Sequence, residues 1–474
     1  MSINGMVDID VSRGMIVALH PLPDTDRRTG TLRRNLRAST IDGAAFSVMV
    51  GVGETYLPAF VLALGLSDVT AGLIATVPML AGAVLQVISP RAVRRLGSHR
   101  RWVVLCALTQ ALGFLPLVLA ALAGRIPTSL IFLLAAIYWG SGMATGPAWN
   151  TWIGTVIPAS IRARFFARRT RVTQGCVLGG FLLGGAALQI GSTLQRPLWA
   201  FAVLFLIAAM CRFVSARFLA LQSEPTPLPP NHRILPIPEL VRRFRDGADG
   251  RLLVYLLAVQ VAAQIAAPYF TPYMLRQLNL PYSKYVLLIG AAFVAKIIAS
   301  PSLGRIAHRC GALRLLTIGG VAIVPLSMMW TFSDSFAYLL GVQLLAGTAW
   351  AAYELASFLL LFEAIPSEER TSILTAYNVI YAISTVAGSL VGGAALRFFS
   401  DSRAGYMILF ALSCGARVLT ILLLQRVTAR DFEPVPVATR IDAVRPSAGS
   451  IAKPIIASLP ESGAAPKRSA ECTR

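Results

Sequence analysis

"VIPASIRARFFARRTRVTQGCVLGGFLLGGAAL" (Val156–Leu188) and "AIPSEERTSILTAYNVIYAISTVAGSLVGGAAL" (Ala364–Leu396) superpose without a gap when the chain is shifted by 208 residues against itself. Ile157, Pro158, Arg162, Gly180 and the run Gly184 to Leu188 then meet Ile365, Pro366, Arg370, Gly388 and the run Gly392 to Leu396. Pro58 meets Pro272, and Ser89-Pro90 meets Ser300-Pro301, after small adjustments of the shift. A repeat of about half the chain marks a molecule built of two like halves.

The medium in which those halves fold follows from composition. Of 474 residues, 55% are hydrophobic and 14% charged, too apolar for an ordinary soluble domain. A bilayer core needs roughly 20 apolar residues per helix. Segments near 41–64, 69–89, 102–124, 128–157, 172–193, 197–221, 252–273, 283–303, 312–332, 336–364, 372–396 and 405–426 meet that length, six to each half. The expected fold is all-α and polytopic, with twelve transmembrane helices in two pseudo-symmetric halves and no strands. Its parts are a basic N-terminal tail (1–40), a first half (41–221), a linker (222–250), a second half (251–426) and a disordered tail rich in Pro, Ala and Ser (427–474).

A net charge of +21 would suggest nucleic acid in a soluble protein. Here most of the 43 lysines and arginines fall in the two tails, the linker and the loops after even-numbered helices. That asymmetry predicts a plasma (inner) membrane protein with both termini in the cytoplasm. "RRTGTLRRNLR" (Arg27–Arg37) then reads as a cytoplasmic retention signal, and helix 1 as the targeting signal, with no cleavable leader. The six cysteines show no metal or redox spacing, and no GxxxxGK[ST] stretch exists for nucleotide-driven pumping. No cofactor or metal is expected. The histidines His20, His99, His232 and His308 lie in polar segments and converge on no membrane-embedded reaction centre, so an enzyme is not expected.

Three places resemble the major facilitator superfamily. "GRIAHRCGALR" (Gly304–Arg314) is similar to that family's loop signature, with Gly304, Arg309 and Gly311 matching and His308 where the family has Asp. "PRAVRRLGSHRR" (Pro90–Arg101) keeps Gly97 and the basic residues but has Arg94 at the Asp position. "WIGTVIPASIRARFFARR" resembles the family's connection between helices 4 and 5. The resemblance covers roughly residues 40–426. It implies a transporter working by alternating access, gated on the cytoplasmic side by the loops around Arg94, Gly97, Gly304, His308, Arg309 and Gly311. It also implies that helices 1, 2, 4, 5, 7, 8, 10 and 11 line a central cavity. "GFLLGG" (Gly180–Gly185) is similar to the antiporter element of that family, with Phe181 in place of Pro, and it also reads as small residues for close helix packing.

Charges at span depth cost about 2.5–3.5 kcal/mol each on insertion scales and mark functional or paired positions. Five are kept: Glu54, Arg212, Lys296, Glu354 and Arg417. Arg212 and Arg417 take equivalent places on outer helices and read as structural. Ser47, Gly51, Glu54 and Pro58 share one face of helix 1, which suits a cavity or a helix contact. Glu54 is therefore a proton-exchanging group or a carboxyl that bonds a neighbouring helix. Lys296 and Glu354 stand about 10 and 15 Å above the cytoplasmic ends of helices 8 and 10, close enough in depth to pair. Such a pair is static, or opens to take an anionic solute or a proton. The repeat carries Trp149 and Asn150 onto the Glu354 face of helix 10, so they are expected to line the cavity with Asn378 and Tyr381 of helix 11.

These readings predict a monomeric secondary transporter of a small organic solute in the lipid bilayer. Protons are the expected coupling ion for Glu54 and Glu354, with efflux by antiport the leading direction. Uptake of an anionic metabolite held by Lys296, and a non-transporting receptor or assembly factor of the same fold, remain as alternatives.

Overall fold

The computed structural model describes residues 25–224, 248–364, 370–399, 402–427, 446–447 and 450–451. Helix 1 runs Thr25–Val52 and resumes at Leu57–Ala63; helix 2 comprises Asp68–Leu73 and Met79–Leu96. Helices 3 to 6 are His99–Ala123, Thr128–Val156, Ala159–Thr193 and Pro197–Ala220. Helix 7 is Ala248–Ala266 with a continuation at Phe270–Pro272, and helix 8 is Tyr282–Cys310. Helices 9 to 12 are Ala312–Ala322, Phe336–Ala364, Arg370–Phe398 and Arg403–Leu424.

Two six-helix bundles result, and they pack alike. Helix 1 packs on helices 5 and 6 as helix 7 packs on 11 and 12; helix 4 packs on 2 and 3 as helix 10 packs on 8 and 9. The outside is apolar, with Leu183 70% and Ile298 71% exposed, as a bilayer-facing surface requires. Ten helices among the described residues are long and apolar enough to cross a membrane.

Close packing rests on the glycines of the repeat. Tyr56 of helix 1 lies in the notch of Gly184 and Gly185 and donates its hydroxyl to the Phe181 carbonyl at 2.5 Å. Tyr269 of helix 7 lies in the notch of Gly392 and Gly393 and donates to the Ser389 carbonyl at 2.6 Å. The two arrangements are repeat-equivalent. "GFLLGG" and "GSLVGG" are thus receptacles for a tyrosine whose polar tip must be bonded in an apolar interior.

Several expected boundaries are corrected. Helix 1 begins at Thr25 rather than near 41, and helix 5 at Ala159 rather than 172, because arginine-rich segments are good helix formers that continue a span beyond the apolar zone. For the same reason the segments Pro90–Leu96 and Gly304–Cys310 are the last turns of helices 2 and 8, not loops. Gly97 (φ +62°) and Gly311 (φ +88°) end them in conformations that favour glycine. Helix 9 stops at Ala322, before Pro325, and a 3₁₀ turn, Met328–Thr331, completes that crossing. Helix 2 is interrupted ahead of Met79, beside Pro78. The fold is all-helical, as expected; outside the helices, Pro446–Ser447 pairs with Ser450–Ile451 as a two-residue antiparallel bridge. Most of the linker, most of the C-terminal tail and residues 1–24 lie outside the described residues.

A Cβ at Gly392 would stand 2.0 Å from the Ile265 carbonyl oxygen and 2.8 Å from the Tyr269 ring, whereas one at Gly415 meets nothing within 4 Å. Gly392→Ala should therefore cost at least about 1–3 kcal/mol as overpacking and lower the melting temperature in detergent. Gly415→Ala should leave it unchanged or raised.

Candidate functional site

Helices 8 and 10 approach closely because a Cβ at Gly347 would stand 2.1 Å from the Ala292 carbonyl oxygen. One turn further along helix 8, Lys296 Nζ donates to Glu354 Oε2 of helix 10. The expected pair forms. Lys296 is 3% exposed and the Glu354 side chain 13%, so the carboxylate is the more open partner. Its second oxygen, Oε1, is sealed from solvent and has no hydrogen-bond donor.

Aromatic rings occupy neighbouring positions of helices 7, 10 and 11. Tyr353 lies edge-on to Trp350 at 5.6 Å and to Tyr255 at 6.3 Å between ring centroids, and Tyr377 and Tyr381 of helix 11 stand 5.8 Å apart. Tyr381 is within electrostatic reach of Glu354. Asn378 and Tyr381 are both half-buried and share a face of helix 11, being three residues apart.

Glu54 is placed differently. Helix 1 breaks at Gly53, and Glu54 opens a 3₁₀ turn, Glu54–Tyr56. There its carboxylate accepts the Tyr138 hydroxyl of helix 4 at 2.6 Å. A Cβ at Gly53 would press on Phe114 and Ala208, and one at Gly51 on the Val177 carbonyl. Thr55 Oγ1 donates to the Val50 carbonyl at 2.9 Å, occupying an acceptor next to the break. Ser47, Gly51, Glu54 and Pro58 are all buried. The stripe is a helix contact inside the first half, the second of its two expected readings.

Trp149 also lies apart from the ion pair. It is half-buried, with the Arg169 guanidinium 4.7 Å from its ring centroid and Phe166 edge-on at 6.3 Å. The side chains of Asn150 and His308 lie outside the described residues. Arg212 and Arg417 are each 3% exposed and do not snorkel. Arg212 donates to Ser215, which donates to Asp42, while Arg417 donates to the Ile323 carbonyl. Both tie helices together, as expected of structural arginines.

At the end of the bundle nearer the chain termini, Arg94 and Arg309 are exposed and Gly304 is half-buried. Sequence reasoning missed a carboxylate there. Glu224, at the start of the linker, accepts from Ser98 Oγ at 2.5 Å, His99 N at 2.7 Å and Arg100 N at 3.3 Å. It caps helix 3 just after the last turn of helix 2, which carries Arg94. Asn35 and Trp152 bond the adjacent Ser223.

The opposite, far end holds a second cluster that the sequence did not reveal. Arg276 lies in a π-helical turn, Tyr273–Gln277. It donates to Asp68 Oδ1 at 2.6 Å and to the carbonyls of Leu66 at 2.6 Å and Leu62 at 3.2 Å. Tyr406 donates to Asp68 Oδ2 at 2.8 Å. Thr76 donates to Ser389 Oγ at 2.7 Å, and Gln189 Oε1 accepts from Ser283 N at 3.1 Å. Every one of these bonds joins the first half to the second. The only sequence signal was an acid and a base in corresponding turns, after helices 1 and 7, which reads as ordinary loop charge.

Comparison with known proteins agrees with this geometry. The sequence model of the Major Facilitator Superfamily matches residues 252–460. A stretch of 144 residues, 30% of this chain, is 31% identical to part of the probable multidrug resistance protein EmrY of Escherichia coli (strain K12), and the match spans 27% of that protein. The nucleoside transporter NupG shares the fold over 83% of this chain and 99% of its own (TM-score 0.68, 11% identity). A bacterial homologue of the iron transporter ferroportin matches with a TM-score of 0.61 in its inward-facing state, over 85% of this chain and 99% of its own at 15% identity. In an outward-facing state the same homologue scores 0.54. The second half of the chain thus matches the sequence pattern of the Major Facilitator Superfamily, and the whole chain has the fold of these solved transporters. Its long apolar helices are those of a multi-pass membrane protein.

Removing one partner of a buried ion pair leaves the other uncompensated, at about 3–5 kcal/mol. Lys296→Ala should therefore destabilise the protein more than Lys296→Ala combined with Glu354→Ala. A thermal-unfolding double-mutant cycle reads the coupling; additive losses would mean that the pair contributes nothing.

Proposed function

We propose that this protein is a secondary transporter that moves a small organic solute by alternating access between its halves and couples that movement to protons. The observation that carries the reading is the seam of bonds from Asp68, Thr76 and Gln189 across to the second half, all at one end of the bundle. A solute route closed at one end by bonds between two rigid bundles opens there when the bundles rock apart.

In this reading Glu354 and Glu54 exchange the proton, and Lys296, Trp149, Asn150, Asn378 and Tyr381 contact the solute. The segments with Arg94, Gly97, Gly304, His308, Arg309 and Gly311 form the gate at the terminal end. The charge asymmetry of the sequence supports placing that end in the cytoplasm of a cell bounded by an inner membrane, with the protein as a monomer. Efflux by antiport has the partial likeness to EmrY in its favour. Uptake of an organic anion is favoured by a different observation, a buried lysine whose carboxylate partner has one oxygen still without a donor.

Glu54→Gln keeps size and the bond to Tyr138 while removing titration. It should fold and bind solute but lose most of the solute-evoked proton movement, about tenfold or more, read by a pH dye in proteoliposomes. A wild-type dye response would leave Glu54 a structural link between helices 1 and 4.

A further inference from the structure

We propose that the Lys296–Glu354 pair takes a flat or aromatic carboxylate together with one proton, the carboxylate on Lys296 Nζ and the proton on Glu354 Oε1. This rests on the transporter reading of the same site and names its solute class.

The argument is one of charge. Lys296 and Glu354 neutralise each other in an interior where a lone charge is poorly tolerated. A cationic solute bound to Glu354 would strip Lys296 of its partner, and an ammonium must then stay buried alone or lose its proton, far from its ordinary range. An anionic solute bound to Lys296 frees Glu354 instead. A carboxylate becomes neutral by gaining one proton, which is the easier change at neutral pH. Binding of anion and proton together therefore leaves the site as neutral as it was.

The geometry provides for that proton. Glu354 Oε2 is used by Lys296, while Oε1 is buried and without a donor. A buried acceptor in that condition is unfavourable until something completes it. Since Oε1 is sealed from solvent, what completes it is small: a proton rather than the ammonium of an amino acid. Among the described residues, the titratable groups facing Glu354 are Lys296 from helix 8 and Tyr381 from helix 11. Phenols stay neutral near pH 7, so Glu354 is the group whose charge changes. Tyr381, with Tyr377 packed on it, sets an aromatic face beside the pair, which is why the class is a flat or aromatic acid.

The test uses the purified full-length protein in detergent, with benzoate, benzamide, benzylamine and phenylalanine as probes. Benzoate alone should raise the melting temperature. Calorimetry in buffers of different ionisation enthalpy should show uptake of about one proton per benzoate, and affinity should weaken about tenfold per unit as pH rises above neutrality. Glu354→Gln, a neutral stand-in for the protonated acid, should bind benzoate without proton uptake or pH dependence. Lys296→Ala removes benzoate binding; should that variant not fold, Lys296→Ala with Glu354→Gln carries no buried charge and must likewise fail to bind. Stabilisation by benzylamine instead of benzoate, or by phenylalanine without proton uptake, overturns the proposal. So does pH-dependent binding that survives in Glu354→Gln, or no binding by any probe. A protein that moves benzylamine in proteoliposomes would still be a transporter, so the two readings fail separately.

Discussion

A polar group carried into the bilayer is costly unless it finds its partner within the protein, because hydrocarbon supplies none. That constraint organises the structure. Backbone amides are satisfied by helices, and the few side chains with charge at span depth are matched one by one: Glu54 by Tyr138, Arg212 and Asp42 through Ser215, Lys296 by Glu354. Where a helix breaks, a side chain covers part of the exposed backbone, as Thr55 does for Val50.

Matching requires close approach, and close approach requires glycine. Gly347 lets helices 8 and 10 come near enough for their charges to meet, and the paired notches of helices 5 and 11 seat Tyr56 and Tyr269. The same residues bring the halves together. A Cβ at Gly185 would strike Val286 of helix 8, and one at Gly72 the Tyr269 ring. The repeated glycines therefore serve both the interior of each half and the seam between them. Rigid halves meeting along a short seam can exchange one packing for another without deforming internally, which is what alternating access asks of them.

Much of this was legible in the sequence. Apolar periodicity gave the spans and the gapless repeat gave two halves, because both are written in residue type. Depth counting placed Lys296 and Glu354 at compatible heights, since each lies on a continuous helix. At Glu54 the helix breaks at Gly53 and the carboxyl bonds helix 4; a tyrosine within a span reads as apolar filling, so Tyr138 gave no sign of being the partner. The Asp68–Arg276 link was invisible for another reason: 208 residues separate its members, and a charge in a short turn has no periodicity to give it a direction. Glu224 is similar, a linker carboxylate that caps helix 3 from far along the chain.

The central claim is that the halves are rigid bodies held together at the far end by Asp68, Arg276 and Tyr406. Its most direct measurement is the distance distribution between spin labels on Arg125→Cys and Ser335→Cys, exposed positions in far-end turns of the two halves, with the native cysteines replaced. Charge-assisted bonds of this kind contribute about 1.5–3 kcal/mol. Arg276→Ala should therefore raise the population with separated far ends by roughly tenfold or more, while a label pair within either half keeps its distance. A distribution unchanged by Arg276→Ala, or a change within one half, would contradict it.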